Sequence, residues 1–235
     1  MMNENPVGIL VVDKPEGWTS NDVVQKTKHM IKAKKVGHTG TLDPMATGVL
    51  ILLIGKATKT AHLYADDYKR YQAEITFGSS TDSYDRTGAV TEEGSPDSVD
   101  LEKLKEVIES FKGPQEQLPP MYSAVKVKGK KLYELARKGK VVERKARSII
   151  IESIEADLSA FPVITIDVLC SKGTYIRSIA HDIGDRVACP SHLSGLVRTA
   201  AGRYTIENAV DFSGTVDAGD ALNLLNNIIP LEVQS

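Results

Sequence analysis

The sequence predicts an α+β fold. Strand-like alternation and helical spacing both occur, and they mix along the chain without regular strand–helix–strand alternation. At 235 residues and 41% hydrophobic content, the chain suits one large globular domain or two small ones. Its longest pure apolar run is Val49 to Ile54, far short of the roughly 20 residues that a membrane span needs.

Val7 to Asp13 is a short apolar strand ended by the turn Lys14-Pro15-Glu16-Gly17. Thr19 or Ser20 can cap the next helix. Its positions Val23, Val24, Thr27, Met30 and Ile31 follow helical spacing and leave the lysines outward. The run Val49 to Ile54 is strand-like. Tyr71, Ala73, Ile75 and Phe77 alternate with Gln72, Glu74 and Thr76, the period of a half-buried strand. Residues 79 to 99, polar and turn-rich, are expected to form a surface excursion. Leu101, Leu104, Val107, Ile108 and Phe111 mark a helix stopped by Gly113-Pro114. A short helix is expected near Leu132 to Arg137, then strands around Arg147 to Leu158 and Val163 to Cys170. A helix from about Tyr175 to Val187, a strand near Leu196 to Tyr204 and a helix around Ala221 to Ile229 close the chain. There is no internal repeat and no low-complexity segment.

A net charge of −2 by itself argues against a nucleic-acid partner, but the distribution of the charge points the other way. Lys26 to Lys35 holds five lysines and no acid, and Lys126 to Arg147 holds ten basic residues against Glu134 and Glu143. Charge runs are commonly solvated faces. Two of them on an acidic background look like a footprint for a phosphate backbone. Cys170 and Cys189 are far apart and lack metal-ligand spacing, which points to thiols in a reducing compartment. With no secretory pattern at the N-terminus, a cytoplasmic location is expected.

The densest chemical signal is Gly37-His38-Thr39-Gly40-Thr41-Leu42-Asp43-Pro44-Met45-Ala46-Thr47-Gly48-Val49-Leu50. It sets one carboxylate, Asp43, among glycines and small hydroxyl residues, just before the apolar run. Glycine lets a backbone approach a ligand closely, and a rigid strand can hold such a turn. A phosphate loop at Gly55-Lys56 fails, because Leu50 and Ala57 stand where a glycine and a Ser or Thr are required. An aspartyl-phosphate motif fails too, because Gly37 occupies the position of its aspartate. A plain Asp-Pro turn with a capping aspartate explains Asp43 alone but not the whole stretch.

That stretch resembles the active-site signature of the TruB family of bacterial tRNA pseudouridine synthases. The segment Cys170-Ser171-Lys172-Gly173-Thr174-Tyr175-Ile176-Arg177 is similar to the family's second signature, and Lys69-Arg70-Tyr71 to its third. Residues from Pro119 to Lys126 and from Gly129 to Glu134 also look familial, so the likeness runs from about Val7 to Tyr204. It implies a pseudouridine synthase fold: a large twisted mixed or antiparallel sheet, flanking helices and a central RNA-binding cleft. It implies isomerisation of the T-loop uridine at tRNA position 55, with no cofactor and no metal. Asp43 would be the nucleophile, and attack at C1′, attack at C6 and deprotonation at C2′ are all open to it.

By the same likeness Arg177 pairs with the catalytic aspartate, a role that suits a guanidinium. Tyr71 stacks on the uracil and removes the C5 proton, although a core tyrosine opening a strand would look the same. His38 fills the gap left by the flipped nucleotide, and Lys59, Tyr175 and Leu196 shape the pocket. The expected partner is the tRNA T-arm stem-loop, with no membrane, and the expected state is a monomer. One catalytic domain is expected over residues 7–230, with core motifs at 37–177 and a C-terminal part at 178–230. Family members usually continue into a C-terminal PUA-type RNA-binding domain, for which this chain is expected to be too short. Two rivals are a non-catalytic RNA-binding or tRNA-folding module, and a nucleoside or glycoside hydrolase. The trio Asp43, Tyr71 and Arg177 counts against the first, and the absence of a second motif carboxylate counts against the other.

Overall fold

The computed structural model describes residues 6–65, 67–127, 129–212 and 218–231. Lys128 of the second basic segment lies outside them. In chain order, β1 (Gly8–Lys14) leads to α1 (Ser20–Met30), β2 (Val36–His38) and β3 (Thr47–Ile54). A 3-10 helix (Gly55–Thr60) and α2 (Ala61–Ala65) precede β4 (Lys69–Phe77), β5 (Ser79–Thr81) and β6 (Val90–Glu93). Next come α3 (Leu101–Glu109), β7 (Gly113–Gln117), β8 (Lys126–Val127), β9 (Lys130–Lys131) and α4 (Leu132–Ala136). The chain continues through β10 (Arg147–Asp157), β11 (Val163–Cys170), α5 (Ile176–Arg186) and β12 (Ser191–Ala201). It closes with β13 (Tyr204–Thr205), β14 (Val210–Asp211) and α6 (Ala218–Asn226). The ladders include a ten-stranded mixed sheet with flanking helices, so the α+β expectation holds.

The chain divides into two compact units, Met1–Arg70 with Val197–Ser235, and Tyr71–Leu196. In the first, β1 and β3 pair antiparallel from Gly8↔Ile54 to Lys14↔Gly48, and β14 runs parallel to β1. Both central strands are buried on both faces. Leu10, Val12, Leu50, Leu52 and Ile54 pack with Val23 and Val24 of α1 and Leu224 of α6. Ile9, Val11, Val49, Ile51 and Leu53 pack on the opposite face with Ala57, Ala201 and Tyr204. This two-sided burial explains why Val49 to Ile54 is apolar without alternation. Thr19 caps α1 and forms a reciprocal capping box with Asp22.

In the second unit the strand order is β12, β4, β11, β10, β7. Strands β10 and β11 pair antiparallel with an irregularity between Ile151 and Ser153, and β7 pairs antiparallel with the start of β10. Burial alternates along β4 and along β11, as their sequences require. Leu104 and Ile108 of α3 and Ile176, Ile179 and Ile183 of α5 are buried.

Three expectations are corrected. Residues 79–99 are not merely a surface excursion: β5 and β6 form a hairpin, and Ser80, Thr81, Ser83 and Asp85 are buried. Polar composition misleads there because the loop's carbonyls and hydroxyls satisfy one another. The strand expected from Leu196 begins at Ser191, since the polar residues Ser191, His192 and Ser194 find partners inside the second unit. Gly113 and Pro114 do not simply end α3. They open β7, an edge strand where a proline's missing N–H is tolerated.

Gly48, at φ 100°, marks a close backbone approach in the first unit: a Cβ there would collide with the Arg198 carbonyl oxygen. Gly48→Ala should therefore destabilise folding by about 2–4 kcal/mol, from strain at positive φ plus overpacking. Urea unfolding of the variant against the native sequence measures this.

Candidate active site

Asp43 sits in the turn between β2 and β3. One edge of β3 is covered by β1. Its other edge is divided, with residues 52–54 pairing with β2 and residues 47–48 with β12. Residues 39–46 emerge at that division, so this turn is bracketed by strands. Its backbone is held at several points. Thr39 N–H donates to the Ile51 carbonyl at 3.2 Å, and Ala46 N–H donates to the Asp43 carbonyl at 3.1 Å. The Ser20 hydroxyl accepts from Leu42 N–H at 2.8 Å and donates to the Leu42 carbonyl at 3.1 Å. Of the two candidate helix caps, Thr19 caps α1 and Ser20 holds the turn.

Two buried cations also hold this turn. Lys14, fully buried at the end of β1, donates to the carbonyls of Pro15 at 2.8 Å, Trp18 at 2.7 Å and Pro44 at 3.3 Å. An ammonium has three donors, and all three are used. Burial pushes its pKa down to about 8, the negative charge of Asp43 opposes that fall, and Arg198 adds to it. Arg198 on β12 donates from Nε to the Val49 carbonyl at 2.7 Å and from Nη2 to the Gly40 carbonyl at 3.2 Å. The turn that carries the carboxylate is thus gripped through its carbonyls by positive charge.

His38 ends β2. Burial, then the charge on Arg198, holds its pKa below the usual value and favours the neutral imidazole, against an opposing hydrogen bond with the Gly40 backbone. Its Nδ1 is buried without a hydrogen-bond partner among the described residues. Lys59 is exposed on the 3-10 helix that follows β3.

Four predicted site residues belong to the second unit. Tyr71 is buried on β4, on the same face as Ala73, Ile75 and Phe77, and Leu196 is buried on β12. Tyr175 precedes α5. Its N–H donates to Gln117 Oε1 at 2.8 Å and its carbonyl accepts from Gln117 Nε2 at 3.0 Å, so one β7 side chain sets the start of the helix. Arg177, only 3% exposed, donates to the Ser83 carbonyl at 3.0 Å and the Tyr122 carbonyl at 2.8 Å, with Nε 3.6 Å from Asp85 Oδ2. Asp85 in turn accepts from the hydroxyls of Ser83 at 2.8 Å and Thr87 at 2.6 Å and from Thr87 N–H at 2.9 Å. A guanidinium held this way is pre-organised to present charge.

Sequence reasoning missed Lys14, Ser20 and Arg198 in the first unit and Asp85 and Gln117 in the second. Lys14 left a signal, a lysine closing an apolar strand in register with buried neighbours. Asp85 left one too, in the hydroxyl- and acid-rich run Thr81-Asp82-Ser83-Tyr84-Asp85. Gln117 and Arg198 left none. Among the described residues, no group of three or more His, Cys, Asp or Glu side chains could hold a metal ion. Among them, no helix is long and apolar enough to cross a membrane. Cys170 and Cys189 are both free thiols and buried.

The Lys14 ammonium should titrate near 8 rather than at the ordinary 10.5. Removing the Asp43 charge with Asp43→Asn should move that titration lower, because the carboxylate favours the charged lysine. Between the folded value and the ordinary one, the unfolded chain binds more protons. This group therefore adds stability as pH rises across that window. NMR titration of 13C-labelled lysine side chains in both proteins checks the shift; an unmoved Lys14 resonance would show that the two charges do not interact.

The comparisons with known proteins agree with the motifs. The family model described as TruB family pseudouridylate synthase (N terminal domain) matches residues 28–176. A tRNA pseudouridine synthase B from Clostridium kluyveri is 47% identical over 228 residues, covering 96% of this chain and 76% of that protein. The Bacillus subtilis protein of the same name is 43% identical, covering 96% and 75%. A solved structure described as a Cbf5-Nop10-Gar1 complex matches with TM-score 0.67 at 30% identity, covering 88% of this chain and 52% of that one. Another, an H/ACA RNP bound to a substrate RNA containing 2′-deoxyuridine, matches with TM-score 0.65 at 26% identity, covering 87% and 51%. The chain thus spans about half the length of the chains in those structures. The matched residues include the Asp43 turn and run to the start of α5, and the chain belongs to the TruB family of pseudouridylate synthases.

Proposed function

We propose that this protein isomerises uridine to pseudouridine in tRNA, at position 55 of the T loop. The carrying observation is the Asp43 turn: a carboxylate on a backbone clamped by Ser20, Lys14 and Arg198, placed so that its position need not be organised during reaction. Relatives named tRNA pseudouridine synthase B support the substrate class, and a structural relative bound to a substrate RNA supports RNA binding.

In this mechanism Asp43 supplies the carboxylate that acts on the target nucleotide. Bond cleavage between C1′ and N1, rotation of the base and rejoining through C5 conserve every atom: the proton on C5 must leave, and N1, freed from the sugar, takes one up. Tyr71 stacks on the base and takes that proton, and Arg177 supplies the counter-charge. His38 fills the space of the extruded nucleotide, and Lys59, Tyr175 and Leu196 shape the pocket. The one catalytic domain spans residues 7–230. The exposed lysines of residues 26–35 and the basic segment from Lys126 to Arg147 meet the phosphate backbone. In the latter segment a concavity of about 960 Å³ combines Val125, Val127 and Val142 with Lys126, Lys130 and Arg144. A lining that mixes apolar and cationic side chains suits a nucleotide.

Incubation with unmodified tRNA followed by carbodiimide mapping should place a single new pseudouridine at the T-loop position; a mark elsewhere or none would reject the assignment. Asp43→Asn should remove several orders of magnitude of single-turnover rate while RNA binding persists. Retention of even about a tenth of the native rate would sink the nucleophile role.

For Tyr71, the Phe variant keeps a stacking face but loses the hydroxyl. It should bind RNA normally yet fail to complete product. Tyr71→Ala should also lose about 1–3 kcal/mol of binding. A fully active Phe variant would leave stacking as the only role.

A further inference from the structure

We propose that the stacked pair Tyr84 and His181 positions Arg177. His181 lies one helical turn after Arg177 on the same face of α5. Its imidazole stacks on the Tyr84 ring with centroids 3.9 Å apart and planes 13° from parallel. Tyr84 has φ 64°, a left-handed conformation that L residues rarely adopt and that persists only where the surroundings impose it. Its two chain neighbours are two of the three residues described at the guanidinium: the Ser83 carbonyl accepts from Arg177 Nη1, and the Asp85 carboxylate lies beside Nε. The backward turn at Tyr84 is what lets both face Arg177 together.

The rest of the loop is fixed independently. Leu193 N–H donates to the Tyr84 carbonyl at 3.0 Å, Arg86 N–H donates to the Leu193 carbonyl at 2.9 Å, and the Thr81 hydroxyl holds the Asp85 carbonyl at 2.7 Å. These bonds locate the backbone, and the ring stack adds the link from the loop back to α5. Asp185, 3.5 Å from His181 Nε2 on the same helix, orients the imidazole from its other end. The Arg177 carrier helix and its carbonyl–carboxylate cradle are thus pinned to each other one turn from the guanidinium. His181 and Tyr84 act as positioning residues and need not touch substrate.

This inference rests on Arg177 working in pseudouridine formation, so Arg177→Lys is measured alongside. The readouts are single-turnover rate on unmodified tRNA and the dissociation constant for that tRNA. His181→Ala should lower the rate about ten- to a hundredfold, the scale of a small misplacement, with RNA affinity within about threefold of native. His181→Phe, which restores a stacking ring without polar atoms, should recover the rate to within about threefold. In the Arg177→Lys background, His181→Ala should change the rate less than about threefold, because residues acting through one another are not additive. If His181→Ala does not fold, His181→Gln carries the same expectations. A native rate in His181→Ala, failure of the Phe variant to rescue, or a full additional loss in the Arg177→Lys background would overturn the proposal. A fully active Arg177→Lys would instead remove the role given to Arg177 itself. A crippled Arg177→Lys beside a normal His181→Ala would sink the stack alone.

Discussion

The buried ammonium of Lys14 is the constraint on which the Asp43 turn depends. A charge out of water is costly unless each of its donors finds a partner. Here two carbonyls come from the residues just after β1 and the third from Pro44. The cation therefore ties the end of a core strand to the turn that presents the carboxylate. Apolar packing anchors the turn only in part: Leu42, Met45 and Ala46 are buried, whereas Gly40, Thr41, Asp43 and Pro44 are half-buried or exposed. Hydrogen bonds and charge fix the polar residues that this packing leaves outside, Asp43 among them. Lys14, Ser20 and Arg198 reach it from three different elements, so its geometry inherits the rigidity of the strands and helix behind it.

The second unit solves a related problem in a different way. Arg177 is also buried, but its guanidinium is met by two carbonyls and a carboxylate from distant parts of the chain. The Asp85 carboxylate is itself saturated by hydroxyl and N–H donors, so it is a fixed acceptor. Such a network keeps a positive charge in one orientation, where an isolated exposed arginine would sample many. Gln117 serves the same end by bridging both backbone groups of Tyr175 at the start of the helix. Polar residues that composition would assign to the surface are here the means of ordering the second unit.

Much of this was legible in the sequence. Period-two burial in β4, the helical stripes of α1, α3 and α5, and the unbroken apolar run of β3 followed from residue order, because burying a face selects residues at that face's own period. The family likeness followed as well, because motif residues keep their spacing wherever the chemistry needs them on one turn. What only the tertiary structure decided is which polar residues face inward. Asp85 belongs to a segment that reads as solvent-exposed, Lys14 to one that reads as a simple turn, and Arg198 to a strand with no motif at all. Each is buried because a partner far away in sequence satisfies it: Pro44 for Lys14, Gly40 and Val49 for Arg198, Arg177 for Asp85. Periodicity records the apolar contacts that many residues share. A buried charge depends on one specific long-range partner, and that pairing exists only once the chain has folded.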